Sequence, residues 1–258
     1  MSKRIASFFY GAACYAVFLG TFLYAIGFIG NLFVSKSIDS APEIPLGPAL
    51  LIDTLLLGVF AIQHSVMARQ WFKRALTKMI SPAIERSTYV LLSSLALVLL
   101  FWKWQPIEGT VWSVENYTGR VLIYAAYAFG WLTVLVATFL INHFDLFGLR
   151  QVWFYLWGEQ YRAPGFRTPG PYAYVRHPLY VGWLFVFWST PIMTSAHLLF
   201  AVATTAYILI AIQFEERDLR TFHSEYVDYS RRVPMLIPTF TRRNPVARRT
   251  VSHAGGRG

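Results

Sequence analysis

Cysteine is nearly absent. Cys14 stands alone, which excludes an internal disulfide and a Cys-cluster metal site, and it reads as a small hydrophobe within an apolar run. Charge is also scarce: 14% of residues are charged against 55% hydrophobic, too few to cover the surface of an ordinary soluble domain. Acidic charge is the scarcer sign, with 13 Asp and Glu facing 23 Lys and Arg. No Gly-x-Gly-x-x-Gly turn follows a strand-like run, so the common Rossmann cradle for a nucleotide is excluded. The six histidines, at positions 64, 143, 177, 197, 223 and 253, lack His-x-x-x-His or His-x-x-His spacing, and no catalytic metal is expected.

What the chain has instead is long uncharged runs, at residues 5–35, 87–102 and 121–143, with a further apolar run at 46–68 that carries only Asp53. Each approaches the roughly 20 apolar residues that a membrane-crossing helix needs. Residues 178–214 are uncharged over nearly twice that length, and Pro191 interrupts them, which predicts a helical hairpin whose first arm is short. The fold class is therefore all-α, a polytopic membrane helical bundle with five or six transmembrane segments. Residues 1–240 read as one integral membrane domain. Residues 241–258, rich in Arg and Gly, read as a basic, disordered cytoplasmic tail.

Charge sets the expected orientation. If the amino terminus, residues 69–86, residues 143–178 and everything after Phe214 share one side, only Lys36, Lys103 and Arg120 fall on the other. The positive-inside rule makes the crowded side cytoplasmic, with both termini there if six spans form, in a membrane of the bacterial inner type. The net charge of +10 then follows from topology and contact with the lipid bilayer, with no nucleic acid partner required. The aromatic run at residues 151–157 suits the bilayer interface, either as a roof over a cytoplasmic site or as a plain anchor.

Polar residues concentrate at 167–182, just before the hairpin, and at Glu215 and Glu216, just after it. Polar groups between apolar segments need water, a partner or a ligand to offset burial, so this is the first candidate site. The pattern Arg-His-Pro-x-Tyr-x-Gly over residues 176–182, followed by the Glu pair, resembles the membrane methyltransferases that include isoprenylcysteine carboxyl methyltransferase and phosphatidylethanolamine methyltransferase. Residues 63–65 (Gln-His-Ser) and 138–148 are similar, within that superfamily, to the bacterial methanethiol S-methyltransferases.

The resemblance implies an enzyme that carries a methyl group from S-adenosylmethionine to a small apolar thiol, turning methanethiol into dimethyl sulfide. It also implies a cytoplasmic-side cofactor site formed by Gly170, Tyr172, Arg176, His177, Tyr180, Gly182, Glu215 and Glu216. The residue types fit: a guanidinium pairs with the cofactor's carboxylate, a carboxylate with its ammonium or ribose hydroxyls, and a tyrosine ring covers adenine. Gly182 also permits close helix approach. Read singly, Arg176 is equally a snorkelling interface cation and the Glu pair the solvated end of a helix.

Thiol methylation favours a proton acceptor, because the thiolate is the nucleophile and a thiol near pKa 8.5 is only a few per cent ionised at neutrality. Catalytic candidates are His143 and Asp145, where the fourth span meets the cytoplasm, and His64 near the same end of the second. A capped helix end explains the first pair equally well, and a hydrogen-bonded core histidine explains His64. Asp53, eleven residues before His64, lies near the same helical face but about 16 Å deeper, and reads as structural. The Gln-His-Ser element also resembles NnrU-like membrane proteins with a haem-dependent isomerase relative. On that alternative His64 with His143 or His177 would be axial ligands; a methyltransferase acting on a lipid or another thiol is a further alternative.

Overall fold

A computed structural model describes residues 1–238, so the tail expected at 241–258 lies outside the described residues. In chain order the helices are α1 (Ser2–Gly30), α2 (Leu46–Ala68), α3 (Gln70–Leu76), α4 (Pro82–Lys103), α5 (Tyr117–Ile141), α6 (His143–Leu146), α7 (Leu149–Trp157), α8 (Pro178–Trp188), α9 (Ser195–Phe222) and α10 (Ser224–Arg232). Two short strands, β1 (Thr110–Ser113) and β2 (Ile192–Thr194), form an antiparallel ribbon, the one departure from an all-helical chain among the described residues.

Among the described residues five helices, α1, α2, α4, α5 and α9, are long and apolar enough to cross a membrane. Their outward faces stay apolar: Leu51, Leu55 and Ile62 of α2 and Leu122, Phe129 and Leu132 of α5 are all more than half exposed. In water that surface would be costly, whereas in hydrocarbon only backbone polarity must be satisfied internally, which helices do. The chain is an integral membrane protein, and this band is its lipid face.

The uncharged run at 178–214 is a hairpin, as its length and Pro191 predict. Its first arm, α8, has eleven residues, about 16 Å of rise and half of a hydrocarbon core of about 30 Å. After α8 the chain is extended, and its backbone groups find partners on β1, with Val114 N donating to Pro191 O at 2.9 Å. Thr194 then caps α9, its hydroxyl accepting from His197 N at 3.1 Å. The short arm lies against α5. A Cβ on Gly182 would meet Gly130 O at 2.9 Å, and one on Gly130 would meet Gly182 O at 2.9 Å, so both glycines are needed for the two backbones to touch.

The five long helices and the short α8 close a ring in the order α1, α4, α2, α9, α8, α5, with α5 returning to α1. A core of Phe28, Trp104, Phe101, Trp131, Phe187 and Phe200 fills the half nearest the ribbon. Polar ties also hold that end: Asp39 accepts from Thr194 Oγ1, from Asn31 Nδ2 at 2.6 Å and from His197 Nδ1 at 3.2 Å. Asp53 Oδ1 accepts from Gln105 N at 2.8 Å and so joins α2 to the end of α4, a structural role in keeping with its depth. The opposite end, here the α10 end, gathers α3, α6, α7, α10 and the start of α8. The aromatic run of residues 151–157 forms α7, which packs on α1 and α4 and leaves Trp153 and Trp157 exposed.

Candidate functional site

The motif at 167–182 enters the α10 end through a single 3-10 turn, Gly170–Ala173. Gly170 opens it at φ +53°, a left-handed conformation that costs other residues about 1–2 kcal/mol, and space is not the constraint because the nearest foreign atom is Leu140 Cδ1 at 3.5 Å. Tyr172 follows. Its carbonyl accepts from Tyr229 Oη at 2.6 Å, while its own hydroxyl is buried without a partner. Burial and the nearby Glu215 charge push that phenol well above the ordinary tyrosine range.

Arg176, His177 and Tyr180 then face the last turns of α9. Glu215 and Glu216 are neighbours, so their side chains diverge by about 100° and have different surroundings. Glu216 is buried, and its two oxygens accept from Arg176 Nε at 2.7 Å, His177 Nε2 at 3.1 Å and Arg220 Nη2 at 2.9 Å. Glu215 is 45% exposed and accepts at Oε2 from Tyr180 Oη at 2.9 Å. Arg176 Nη1 also donates to Ser230 O at 3.0 Å and Val233 O at 2.6 Å, satisfying carbonyls at the end of α10, and its backbone N donates to Pro234 O at 2.9 Å. The guanidinium is thus a clamp for α10 as well as a cation at the site, with Nη2 outside these bonds. Gly182, two residues beyond Tyr180, turns to α5 and serves packing.

The three proton-acceptor candidates do not converge. His143 is buried where α5 breaks at Asn142, a residue at φ 145° whose side chain accepts from Asp145 N. Thr138 Oγ1 donates to Leu135 O at 2.7 Å, so the 2.9 Å contact with His143 Nδ1 must be donated by the imidazole, and Tyr15 Oη, 2.9 Å from Nε2, must donate back. Phe139 stacks on the ring at 4.4 Å, and burial holds its pKa below the ordinary histidine value. Asp145 points elsewhere: its Oδ1 accepts from Tyr161 Oη at 2.7 Å and faces Arg150 at 3.5 Å, and with burial it raises Tyr161 to about 12. The ring of His143 is therefore oriented by Thr138 and Tyr15, not by Asp145. His64 lies inside the ring of helices, with Ser93 Oγ 3.2 Å from Nδ1 and Tyr89 Oη 2.9 Å from Nε2.

Several of these partners were not anticipated. Tyr89 and Ser93 are four residues apart on α4 and share a face, a polar pair visible in an apolar run. Tyr15 and Thr138 show no such pairing along their helices. A cleft of about 660 Å³ lies away from the Arg176 cluster, lined by Phe8, Tyr15, Asn142, Arg150 and Trp153 among others. Among the described residues, no three His, Cys, Asp or Glu side chains gather as a metal-holding group.

Fold and site together define a polytopic helical membrane protein with a buried Arg-His-Glu network, flanked by tyrosines, at one mouth of its bundle. The chain is 60% identical to the methanethiol S-methyltransferase of Crocosphaera subtropica over 230 residues, 89% of this chain and 90% of the relative. It is 52% identical to that of Mycobacterium tuberculosis over 237 residues, covering 92% and 97% of the two chains. Nurim of Mus musculus is more distant, at 30% over 185 residues, 69% of this chain and 70% of the relative. No family model and no solved structure matches the chain. The chain belongs to the methanethiol S-methyltransferase family.

Proposed function

We propose that this protein methylates methanethiol to dimethyl sulfide, using S-adenosylmethionine bound at the α10 end. The observation that carries the reading is the half-exposed Glu215 carboxylate beside the orphaned Tyr172 hydroxyl, at the mouth of the bundle, in a chain 60% identical to a methanethiol S-methyltransferase. Residues of this kind suit the cofactor. Glu215, with Oε1 outside the Tyr180 bond, would hold the ammonium or a ribose diol; Tyr172 would offer its buried hydroxyl; and Arg176, with Nη2 outside its protein bonds, would pair with the carboxylate. Gly170, His177 and Tyr180 hold this wall in shape, while Glu216 fixes Arg176 and His177 and Gly182 seats α8 on α5.

When bound, the cofactor supplies an electrophilic methyl group on a sulfonium. The protein's part is to position it and to offer a low-dielectric acceptor site, where attack by a thiolate disperses two opposite charges. The arginine-rich α10 end is cytoplasmic on the positive-inside rule, the side from which a soluble cofactor arrives. The haem alternative finds less support, since both ring nitrogens of His143 and Nε2 of His177 are held by protein groups.

Membranes containing the protein, given methanethiol and methyl-labelled S-adenosylmethionine, should release labelled dimethyl sulfide into the headspace. Unlabelled headspace with intact, folded protein would refute the reading, and a Soret band in purified protein would favour haem.

A further inference from the structure

The hydrogen-bonded histidines differ in what surrounds their nitrogens. His177 Nε2 donates to a carboxylate, His197 Nε2 donates to Phe187 O, and His143 is fixed in one tautomer by Thr138. Around His64 every partner is a hydroxyl: Ser93 Oγ at 3.2 Å from Nδ1, and Tyr89 Oη at 3.1 Å from Nδ1 and 2.9 Å from Nε2. A hydroxyl donates to a neutral imidazole nitrogen and, after rotating, accepts from a protonated one. His64 can therefore gain a proton without losing a hydrogen bond, and, unlike the other three, it has no partner that fixes which nitrogen carries its first proton.

Its location connects it with the cofactor wall. Ser65 Oγ lies 3.1 Å from Tyr207 Oη on α9, and Tyr207, Tyr89 and Tyr180 are close enough to interact electrostatically, with Tyr180 itself bonded to Glu215. Three hydroxyl bonds thus mark the space between the cofactor wall and α2: Tyr180 on Glu215, Tyr207 on Ser65 and Tyr89 on His64. Gln63 adds an unmet need: its Nε2 donates to Ser93 Oγ at 3.3 Å, while its Oε1 is buried without a donor. The charged groups that act on this cluster are Arg69, itself paired with Asp218 at 3.1 Å, Arg86, whose guanidinium lies 6.0 Å from the centre of the Tyr89 ring, and Glu215. Tyr15 lines instead the cleft among α1, α6 and α7, with His143 buried behind it, and the residues lining that cleft include none of α8, α9 or α10.

We infer that the methyl acceptor binds inside the bundle between Tyr180 and His64, and that His64, directly or through Tyr89 Oη, accepts the thiol proton. The inference rests on the thiol methylation proposed above. The S–H bond breaks heterolytically, its proton going to the imidazole and its electron pair remaining as thiolate. That pair forms the new sulfur–carbon bond to the methyl group of the sulfonium donor. The old sulfur–carbon bond breaks with its pair passing to the donor sulfur, and His64 then yields its proton to water. Arg86, over the Tyr89 ring, favours the thiolate in the same field that opposes a lasting imidazolium, while the charge of Arg69 is offset by Asp218.

The test compares wild type, His64→Gln, Tyr89→Phe and His143→Asn with two thiols, methanethiol and the more acidic trifluoroethanethiol. Calorimetric S-adenosylhomocysteine binding serves as the readout independent of turnover. Loss of a proton acceptor lowers turnover by about 10²–10⁴. His64→Gln should show that loss with methanethiol at neutral pH, recover as pH rises, and lose less than about tenfold with the acidic thiol while binding S-adenosylhomocysteine normally. Tyr89→Phe should show the same selectivity to a smaller degree. Equal losses with both thiols, near wild-type rates in both variants, or the selective loss appearing in His143→Asn would each overturn the assignment. A wild-type protein that binds S-adenosylhomocysteine yet methylates neither thiol would overturn the underlying reading as well.

Discussion

Replacing Glu216 and Glu215 one at a time should separate a residue that holds the site together from one that holds the ligand. Glu216 is 7% exposed and accepts from Arg176, 12% exposed, and His177, 5% exposed; Arg220, at 53%, contributes little because water screens it. Removing one partner of a buried charge network costs about 3–5 kcal/mol, and Glu216→Gln, which keeps an acceptor oxygen, belongs at the lower end. A loss of about 3 kcal/mol lowers the melting temperature of a chain this size by on the order of 10 °C. Glu215 has one described hydrogen bond and is nearly half exposed, so Glu215→Gln should change stability by less than about 1 kcal/mol. Losing a charged hydrogen bond to the ligand should instead weaken S-adenosylhomocysteine binding by about 1.5–3 kcal/mol, roughly ten- to 150-fold. Thermal unfolding in detergent and calorimetry read the two effects. A Glu216→Gln protein that melts like wild type, or a Glu215→Gln protein with unchanged affinity, would refute the division.

Gly182→Ala forces a Cβ to within 2.9 Å of Gly130 O and should cost about 1–3 kcal/mol by parting α8 from α5, measured by unfolding in detergent. Asp39→Asn strips the charge facing His197, Thr194 and Asn31 at the ribbon end and should destabilise by about 3–5 kcal/mol in the same assay, without direct loss of cofactor affinity. His143 has a folded pKa depressed below about 6.5, so its contribution to stability is complete above that pH and declines as acid protonates it. A pH series of melting temperatures should fall below about pH 6.5 in wild type and fall less in His143→Asn. Tyr161, raised to about 12, gives the opposite window: stability that is full below about pH 10 and is lost between about pH 10 and 12, a loss absent in Tyr161→Phe.

Most of the architecture was legible from one-dimensional pattern. Length and apolarity alone locate α1, α2, α4, α5 and α9, and Pro191 with the excess length of residues 178–214 requires the hairpin. Its short arm and the ribbon are less accessible, because where an interrupted helix finds new backbone partners depends on a strand some eighty residues earlier. The motif residues Tyr172, Arg176, His177 and Tyr180 and the Glu pair do meet at one mouth, as clustering of polar types between apolar runs suggested. Their shares of the work were not legible, since adjacent glutamates look alike in a string and differ only in which way the helix turns them.

The candidate bases show the same divide. His143 and Asp145 look like partners by proximity in sequence, yet the helix break at Asn142 sends one ring inward to Tyr15 and Thr138 and the carboxylate outward to Tyr161 and Arg150. His64 looks like an isolated histidine in a span, and its hydroxyl shell comes from α4, with Tyr207 of α9 beside it. Composition by itself determined that this chain lives in a membrane, because hydrophobic free energy sums over residues wherever they fall. Only the tertiary structure decided which nitrogen can take a proton and which carboxylate remains open to a ligand, because hydrogen-bond partners are set by the packing of helices distant in sequence.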